Sequence, residues 1–356
     1  MDLQKFKSSQ AKLAIKSIAN AESFSVDLKM DQPNRDVDPN QTYHEEIFDT
    51  SWLRLKSEEY HFYRKEWVEV PKSKRELDFP MHLDIETTNI CNLRCPMCPR
   101  TILLADNEFS DLGYMSREDY KSIIDQAVSN GAYSIKLNYL GEPLSHPDVV
   151  WHVEYAKNEG IVDVLMNSNA SLLSKKMSED LLSAGLDGMF VSFDAVDPGE
   201  YEKQRAGTSI GKVIDNVYNF SRLRKEIRPE CQLRLSMVMY RDQKWLKQFE
   251  ALKVMWSEHV DAVGYGYYHD RANVEYPNVP GFYCAQPFQR MFLKYNGNVT
   301  ICCVDDADKT IVGDWREMNL RDIWNGDLYK NIRHNHANGS YQKITMCKKC
   351  IFPFAK

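Results

Sequence analysis

CNLRCPMCPR (residues 91–100) sets three of the chain's nine cysteines within eight positions, spaced Cys-x-x-x-Cys-x-x-Cys. The count is odd. Structural zinc closes on four ligands, and no histidine or fourth cysteine lies near this loop. At 356 residues, 43% apolar and 27% charged, the chain can bury a sizeable core under a soluble surface. A net charge of −6 and a pI near 5.9 argue against nucleic-acid or anionic-membrane binding, which wants a basic face. The opening MDLQKFKSSQAK is too polar for a secretory signal, and no apolar run approaches membrane-spanning length. The expectation is a soluble cytoplasmic protein. There, clustered cysteines ligate metal or do redox chemistry rather than pair as disulfides.

Outward from the loop, the chain alternates two patterns. MHLDIETT (81–88) reads as a strand and runs straight into the cysteines. SIKLNYL (134–140), IVDVLMNSN (161–169), GMFVSFDA (188–195), QLRLSMVMY (232–240) and DAVGYGYY (261–268) continue the strands. Between them lie helix-period segments with start and stop signals. Ser116 reads as the N-cap of REDYKSIIDQAVSN, and Pro147 and Gly160 bracket the next helix. SKKMSEDLLSAG (174–185), IGKVIDNVYNFSRLRKE (210–226) and QKWLKQFEALKVMWSEH (243–259) follow. Six strands alternating with helices predict an α/β fold with a parallel sheet. No GxGxxG follows the first strand, so a dinucleotide-binding reading loses its main support. A complete or partial barrel carries its chemistry at the C-terminal strand ends, where the motifs fall. Three regions are expected: an N-terminal extension (1–79) with a helix at 2–20 and a polar stretch at 31–42, a barrel (80–275), and a cysteine-rich unit (276–356).

Thiolates suit zinc and iron–sulfur clusters alike, but three of them suit a four-iron cluster with one iron left open. Cys91, Cys95 and Cys98, directly after the first strand of an α/β repeat, resemble the radical S-adenosylmethionine (SAM) superfamily. The resemblance covers roughly 80–270. It implies a partial (β/α)6 TIM-like barrel and a [4Fe–4S] cluster whose fourth iron is chelated by SAM. One electron then cleaves SAM to methionine and a 5′-deoxyadenosyl radical, which abstracts a substrate hydrogen. YLGEPLSHPD resembles the family's Gly-Gly-Glu-Pro turn, with Leu140 in place of the first glycine. This implies that Gly141, Glu142 and Pro143 contact the methionine amino group. MNSNASLL (166–173) resembles the third-strand turn and brings in Asn167. VSFDAVDPGEYEKQRAG (191–207) resembles the fourth-strand segment, implying that Ser192 and Asp194 face ribose or methionine and that Arg205 pairs with the methionine carboxylate. Met97 stands where many members carry an aromatic residue.

Cys284, twelve residues, Gly297, four residues and Cys302, followed by Cys347 and Cys350, resemble the opening of a SPASM domain. The chain ends six residues after Cys350, so the arrangement resembles the shorter twitch form, with four ligands for one closed auxiliary [4Fe–4S] cluster. Four thiolates also suit a zinc ribbon. Cys303 reads as a packed thiol, a substitute ligand or a hydrogen donor, and Cys231 as a core residue. His334 and His336, in RHNHANG, read as surface residues.

The single auxiliary set is similar to that of family members that dehydrogenate an aminocyclitol. The expected reaction is therefore dehydrogenation of a small sugar, polyol or aminocyclitol, driven by a reducing protein such as flavodoxin or ferredoxin. Epimerisation ranks second, a peptide maturase is a further alternative, and a non-catalytic metalloprotein is the reading from another class. Asp305, Asp306, Arg290 and His269 are conceivable bases, and nothing in the sequence chooses among them.

Overall fold

The structure is a computed structural model that describes residues 43–109, 111–268, 275–350 and 352–354. The helix expected at 2–20 and the polar stretch at 31–42 lie outside the described residues, as does His269. Ten strands form one sheet: β1 (His44–Ile47), β2 (His82–Ile85), β3 (Ser134–Leu137), β4 (Asp163–Ser168), β5 (Gly188–Ser192), β6 (Gln232–Met239), β7 (Ala262–Tyr267), β8 (Arg290–Leu293), β9 (Asn298–Thr300) and β10 (Ile311–Asp314). From β2 to β7 the neighbours are sequential and parallel. That is the expected partial barrel, with all six anticipated strands present. β1 adds an antiparallel edge to β7.

Alternation along the strands sorts two environments. Leu83 and Ile85 on β2, Ile135 and Leu137 on β3 and Met189 and Val191 on β5 join the core beneath the helices. His82, Asp84 and Lys136 point the other way and meet one another: Asp84 lies 3.5 Å from His82 Nε2 and 4.0 Å from Lys136 Nζ. The helices begin where their caps predict. Ser116, Ser174, Asp197 and Asp242 each accept from the backbone N–H three residues on. Pro147 falls just outside its helix, which runs Val149–Asn158 with Asp148 at the cap. Buried Arg224, on the helix Ile210–Ile227, makes a bidentate pair with Asp261 ahead of β7 (2.7 and 2.8 Å).

Two features close the barrel, and the sequence reading assigned neither element. The helix Glu58–Lys72 lies under the N-terminal strand ends. Its Tyr63 hydroxyl accepts from Ser134 (2.9 Å), and its Trp67 ring meets His82 edge-on (5.6 Å). On the far edge, β8 pairs in parallel with β2, Leu83 opposite Met291 and Ile85 opposite Leu293. The β9–β10 hairpin continues outward from it. The cysteine-rich C-terminal segment therefore extends the barrel's own sheet. Among the described residues no helix is long and apolar enough to cross a membrane.

Candidate active site and auxiliary metal centre

β2 delivers the chain to the cysteine loop at its C-terminal end, and two neighbouring turns fasten that loop. At Gly141 an added Cβ would fall 1.9 Å from the Thr88 carbonyl oxygen, so only glycine fits. The next residue's N–H, from Glu142, donates to the Ile90 carbonyl (2.8 Å). The Glu142 carboxylate is buried and accepts from Ser168 Oγ (2.7 Å), the Asn169 N–H (2.8 Å) and the Leu144 N–H (3.2 Å). Burial raises its pKa in spite of these donors. Asn169 Nδ2 in turn donates to Asn92 Oδ1 (3.1 Å), inside the loop. The two turns and the loop thus form one hydrogen-bonded rim.

Cys95 is buried, while Cys91 and Cys98 are half-buried. Burial pushes the Cys91 thiol up to about 11 and raises Cys95 as well, so a metal that binds thiolate must displace their protons. Two cations are built in beside them. Arg205 Nη1 reaches the Cys95 sulfur at 3.9 Å, and its Nε lies 2.5 Å from Asp194 Oδ2. Asp194 also accepts from the Val238 N–H (2.7 Å). Arg100 is buried next to Cys91 and Cys98; its Nε donates to the Asn89 carbonyl (2.6 Å) and its Nη1 has no partner. A thiolate-bound iron–sulfur cluster is an anion, and two guanidiniums around three thiols, Arg100 buried and Arg205 half-buried, fit it. Gly141, Glu142, Pro143, Asp194 and Arg205 are thus gathered around the loop. Ser192 is half-buried at the end of β5 and pairs in register with Ser236. Asn167 lies at the end of β4, its Oδ1 buried without a partner.

Sequence reasoning missed Arg100, Ser168, Asn169 and Glu86. Glu86 follows β2 and accepts from the Leu140 N–H (3.1 Å) and the Tyr295 N–H (3.0 Å), and burial pushes its carboxyl up to about 7. The polar run MNSNAS was a usable signal for Ser168 and Asn169. Asp305 is not placed as a base, since its fully buried carboxylate accepts from the Lys309 and Thr310 N–H groups (2.7 and 2.8 Å). Arg290 is paired with Asp84 at 3.3 Å.

The second cysteine set is brought together. Cys284, Cys302, Cys347 and Cys350 line one cavity of about 390 Å³, counting its open mouth, walled by Phe282, Ile301 and Met346. Burial pushes the Cys284 thiol up to about 11 and Cys350 to about 12. Among the described residues, no three His, Cys, Asp or Glu side chains converge closely enough to enclose a single metal ion. Cys303 is not among the residues lining the cavity; its sulfur accepts a hydrogen bond from the Cys302 thiol and another from Gln286 Nε2 at 3.7 Å. His336 does line the cavity and is buried, which corrects the surface placement expected for it; His334 is exposed. Cys231 is buried in the core, as expected.

Comparisons with known proteins agree with this layout. The family model of the radical SAM superfamily matches residues 85–239, and that of an iron–sulfur cluster-binding domain, SPASM, matches residues 284–351. Curated relatives include a probable GTP 3′,8-cyclase of Methanococcus maripaludis, 35% identical over 133 residues, which are 37% of this chain and 43% of that one. The GTP 3′,8-cyclase of Thermodesulfovibrio yellowstonii is 36% identical over 149 residues, 40% of this chain and 42% of that one. The chain thus matches less than half the length of these relatives. Among solved structures, Streptococcus suis SuiB bound to S-adenosylmethionine aligns with a TM-score of 0.56 at 18% identity, over 76% of this chain and 71% of SuiB. BtrN in complex with AdoMet and 2-DOIA aligns with a TM-score of 0.51 at 20% identity, over 77% of this chain and 94% of BtrN. At these identities the likeness is one of fold.

Proposed function

The chain belongs to the radical SAM superfamily and carries a C-terminal iron–sulfur cluster-binding domain, and on that premise we propose that it dehydrogenates a small sugar, polyol or aminocyclitol. In this reading residues 80–275 are the catalytic barrel, residues 276–356 the auxiliary-cluster unit and residues 1–79 an extension. Cys91, Cys95 and Cys98 hold a [4Fe–4S] cluster open to SAM, and Cys284, Cys302, Cys347 and Cys350 hold a closed one. When bound, the first supplies the electron that cleaves SAM to a 5′-deoxyadenosyl radical, and the second accepts the electron left on the substrate once its hydrogen and a proton have gone. The observation that carries the reading is the division of the cysteines into a loop of three and a cavity lined by four.

The protein's own groups have distinct tasks in this scheme. The Gly141–Glu142–Pro143 turn fixes the loop and offers oxygen to the methionine ammonium, while Arg205 presents its guanidinium beside Cys95 to the methionine carboxylate. Asn138 and Asn167, at the ends of β3 and β4, each bury a side-chain oxygen with no partner. Buried acceptors left unpaired cost stability, and hydroxyl donors of a bound polyol or ribose would satisfy them. BtrN was crystallised with the small molecule 2-DOIA and SuiB with a precursor peptide. The described part of the extension is an edge strand and, under the barrel, a helix. Epimerisation is the second reading. Cys303 lies outside the four-cysteine cavity and within electrostatic reach of Arg290 and Asp84, where a thiol could return a hydrogen atom to a substrate radical.

Anaerobic reconstitution tests the proposal. The wild type should take up roughly eight irons, and replacement of Cys91, Cys95 and Cys98 by Ala should remove about half of them and end 5′-deoxyadenosine formation. SAM cleavage by that variant would overturn the reading. Deuterium transfer into 5′-deoxyadenosine from labelled polyols, aminocyclitols, peptides and GTP then identifies the substrate, with reduced flavodoxin or ferredoxin as electron source.

A further inference from the structure

His336 occupies the last turn of the helix Asp327–Ala337 and is 1% exposed. Both ring nitrogens are engaged by the auxiliary cysteines. The Cys284 backbone N–H donates to Nδ1 at 3.2 Å, and Nε2 lies 3.5 Å from the Cys347 sulfur. An imidazole nitrogen that accepts an N–H carries no proton of its own, so in the neutral ring the proton sits on Nε2. Nε2–H therefore points at a sulfur that is a cluster ligand. Tyr341 lies parallel to the ring at 6.0 Å and closes the other face.

We propose that His336 is a positioning residue of the auxiliary centre: it bridges Cys284 and Cys347, fixes the Cys347 rotamer, and donates a hydrogen bond that makes the bound cluster easier to reduce. The inference rests on the reading that the four cysteines hold an iron–sulfur cluster. Adding one electron to such a cluster raises the negative charge on its sulfurs, so a donor aimed at one of them stabilises the reduced form more than the oxidised form. Hydrogen bonds to charged acceptors are worth enough to change the reduced-to-oxidised ratio roughly tenfold, and tenfold is about 59 mV for a one-electron couple. The residue would thereby adjust the auxiliary centre as an electron acceptor without touching substrate.

The two bonds can be separated by substitution. In His336→Asn the side-chain amide replaces Nδ1 and leaves Cys347 without a donor, whereas His336→Gln carries an N–H close to the Nε2 position. EPR-monitored redox titration of the loaded proteins should show the auxiliary potential of His336→Asn shifted negative by about the tenfold equivalent, with His336→Gln close to the wild type and the SAM-binding cluster unmoved in both. An unshifted potential in a fully loaded His336→Asn would overturn the proposal. Nitrogen-15 spectra of histidine-labelled, cluster-free wild type give a second test that needs no variant to assemble. A proton on Nε2 is expected, and a proton on Nδ1 would overturn the inference. Zinc in place of iron at the auxiliary centre would overturn the underlying reading instead, and metal analysis tells the two failures apart.

Discussion

Gly141→Ala should damage the active site through the backbone, without removing any side chain. The new Cβ would lie 1.9 Å from the Thr88 carbonyl oxygen, 2.7 Å from its carbon and 2.9 Å from Asn89 Cα. Ordinary contacts between such atoms begin near 3.5 Å, so the turn and the loop must part by roughly 1.5 Å. The bond from Glu142 N–H to the Ile90 carbonyl, now 2.8 Å, does not survive that separation. Overpacking costs about 1–3 kcal/mol, and a buried backbone bond left unmade adds about 1–3 kcal/mol. A loss of about 2–6 kcal/mol should lower the melting temperature of a chain of 356 residues by roughly 3–8 °C. The assay is calorimetry of the cluster-free protein, followed by iron analysis after anaerobic reconstitution. Iron should be lost from the Cys91, Cys95 and Cys98 loop, while the four-cysteine centre stays loaded. Gly266→Ala, whose added Cβ meets only Tyr43 Cδ2 at 3.9 Å, serves as the control. If Gly141→Ala melts with the wild type and fills both sites, the argument from close approach is wrong.

Two further outcomes follow from buried polar groups. His152 is fully buried against Tyr120 and His146 with neither ring nitrogen partnered, and burial, with His146 beside it, holds its pKa down to about 3. The unfolded chain protonates this ring near pH 6.5 and the folded chain does not, so stability falls as pH drops below about 6.5, by up to about 1.4 kcal/mol per pH unit. His152→Phe should therefore lose less melting temperature than the wild type between pH 7 and pH 5, and parallel losses would refute this. Arg224→Met should cost about 3–5 kcal/mol in chemical denaturation because it strands the Asp261 carboxylate; a cost within the ordinary surface range of about 0.5 kcal/mol would refute the pairing.

The six-strand repeat was legible because each strand and helix carries its own local signal: alternation, a capping Ser or Asp, a closing glycine. The cysteine spacings were legible because ligand geometry is written in short intervals. What escaped was non-local. Nothing in RMFL announces that β8 will lie beside β2, more than 200 residues earlier in the chain. The aromatics of SEEYHFYRKEW (57–67) are plain in the sequence, but not that Tyr63 and Trp67 pack against the strand ends. His336 is a different case, because its signal was present and was outweighed by its polar neighbours. Tyr329, Ile332, Arg333 and His336 fall at helical spacing and are all buried, so the stripe already put this histidine on the inner face. Glu142 shows a limit of motif reading: the motif placed it at the site, but its oxygens already brace the rim.

The pairing of β8 with β2 has a mechanical consequence. A parallel strand cannot be peeled away without stranding a row of backbone donors and acceptors along β2, and β2 is the strand that feeds the cysteine loop. The Cys91 loop follows β2 and Cys302 follows β9, so strands of one sheet lead into both cysteine sets. In the proposed reaction, the sheet that forms on folding would set the spacing between the two sets.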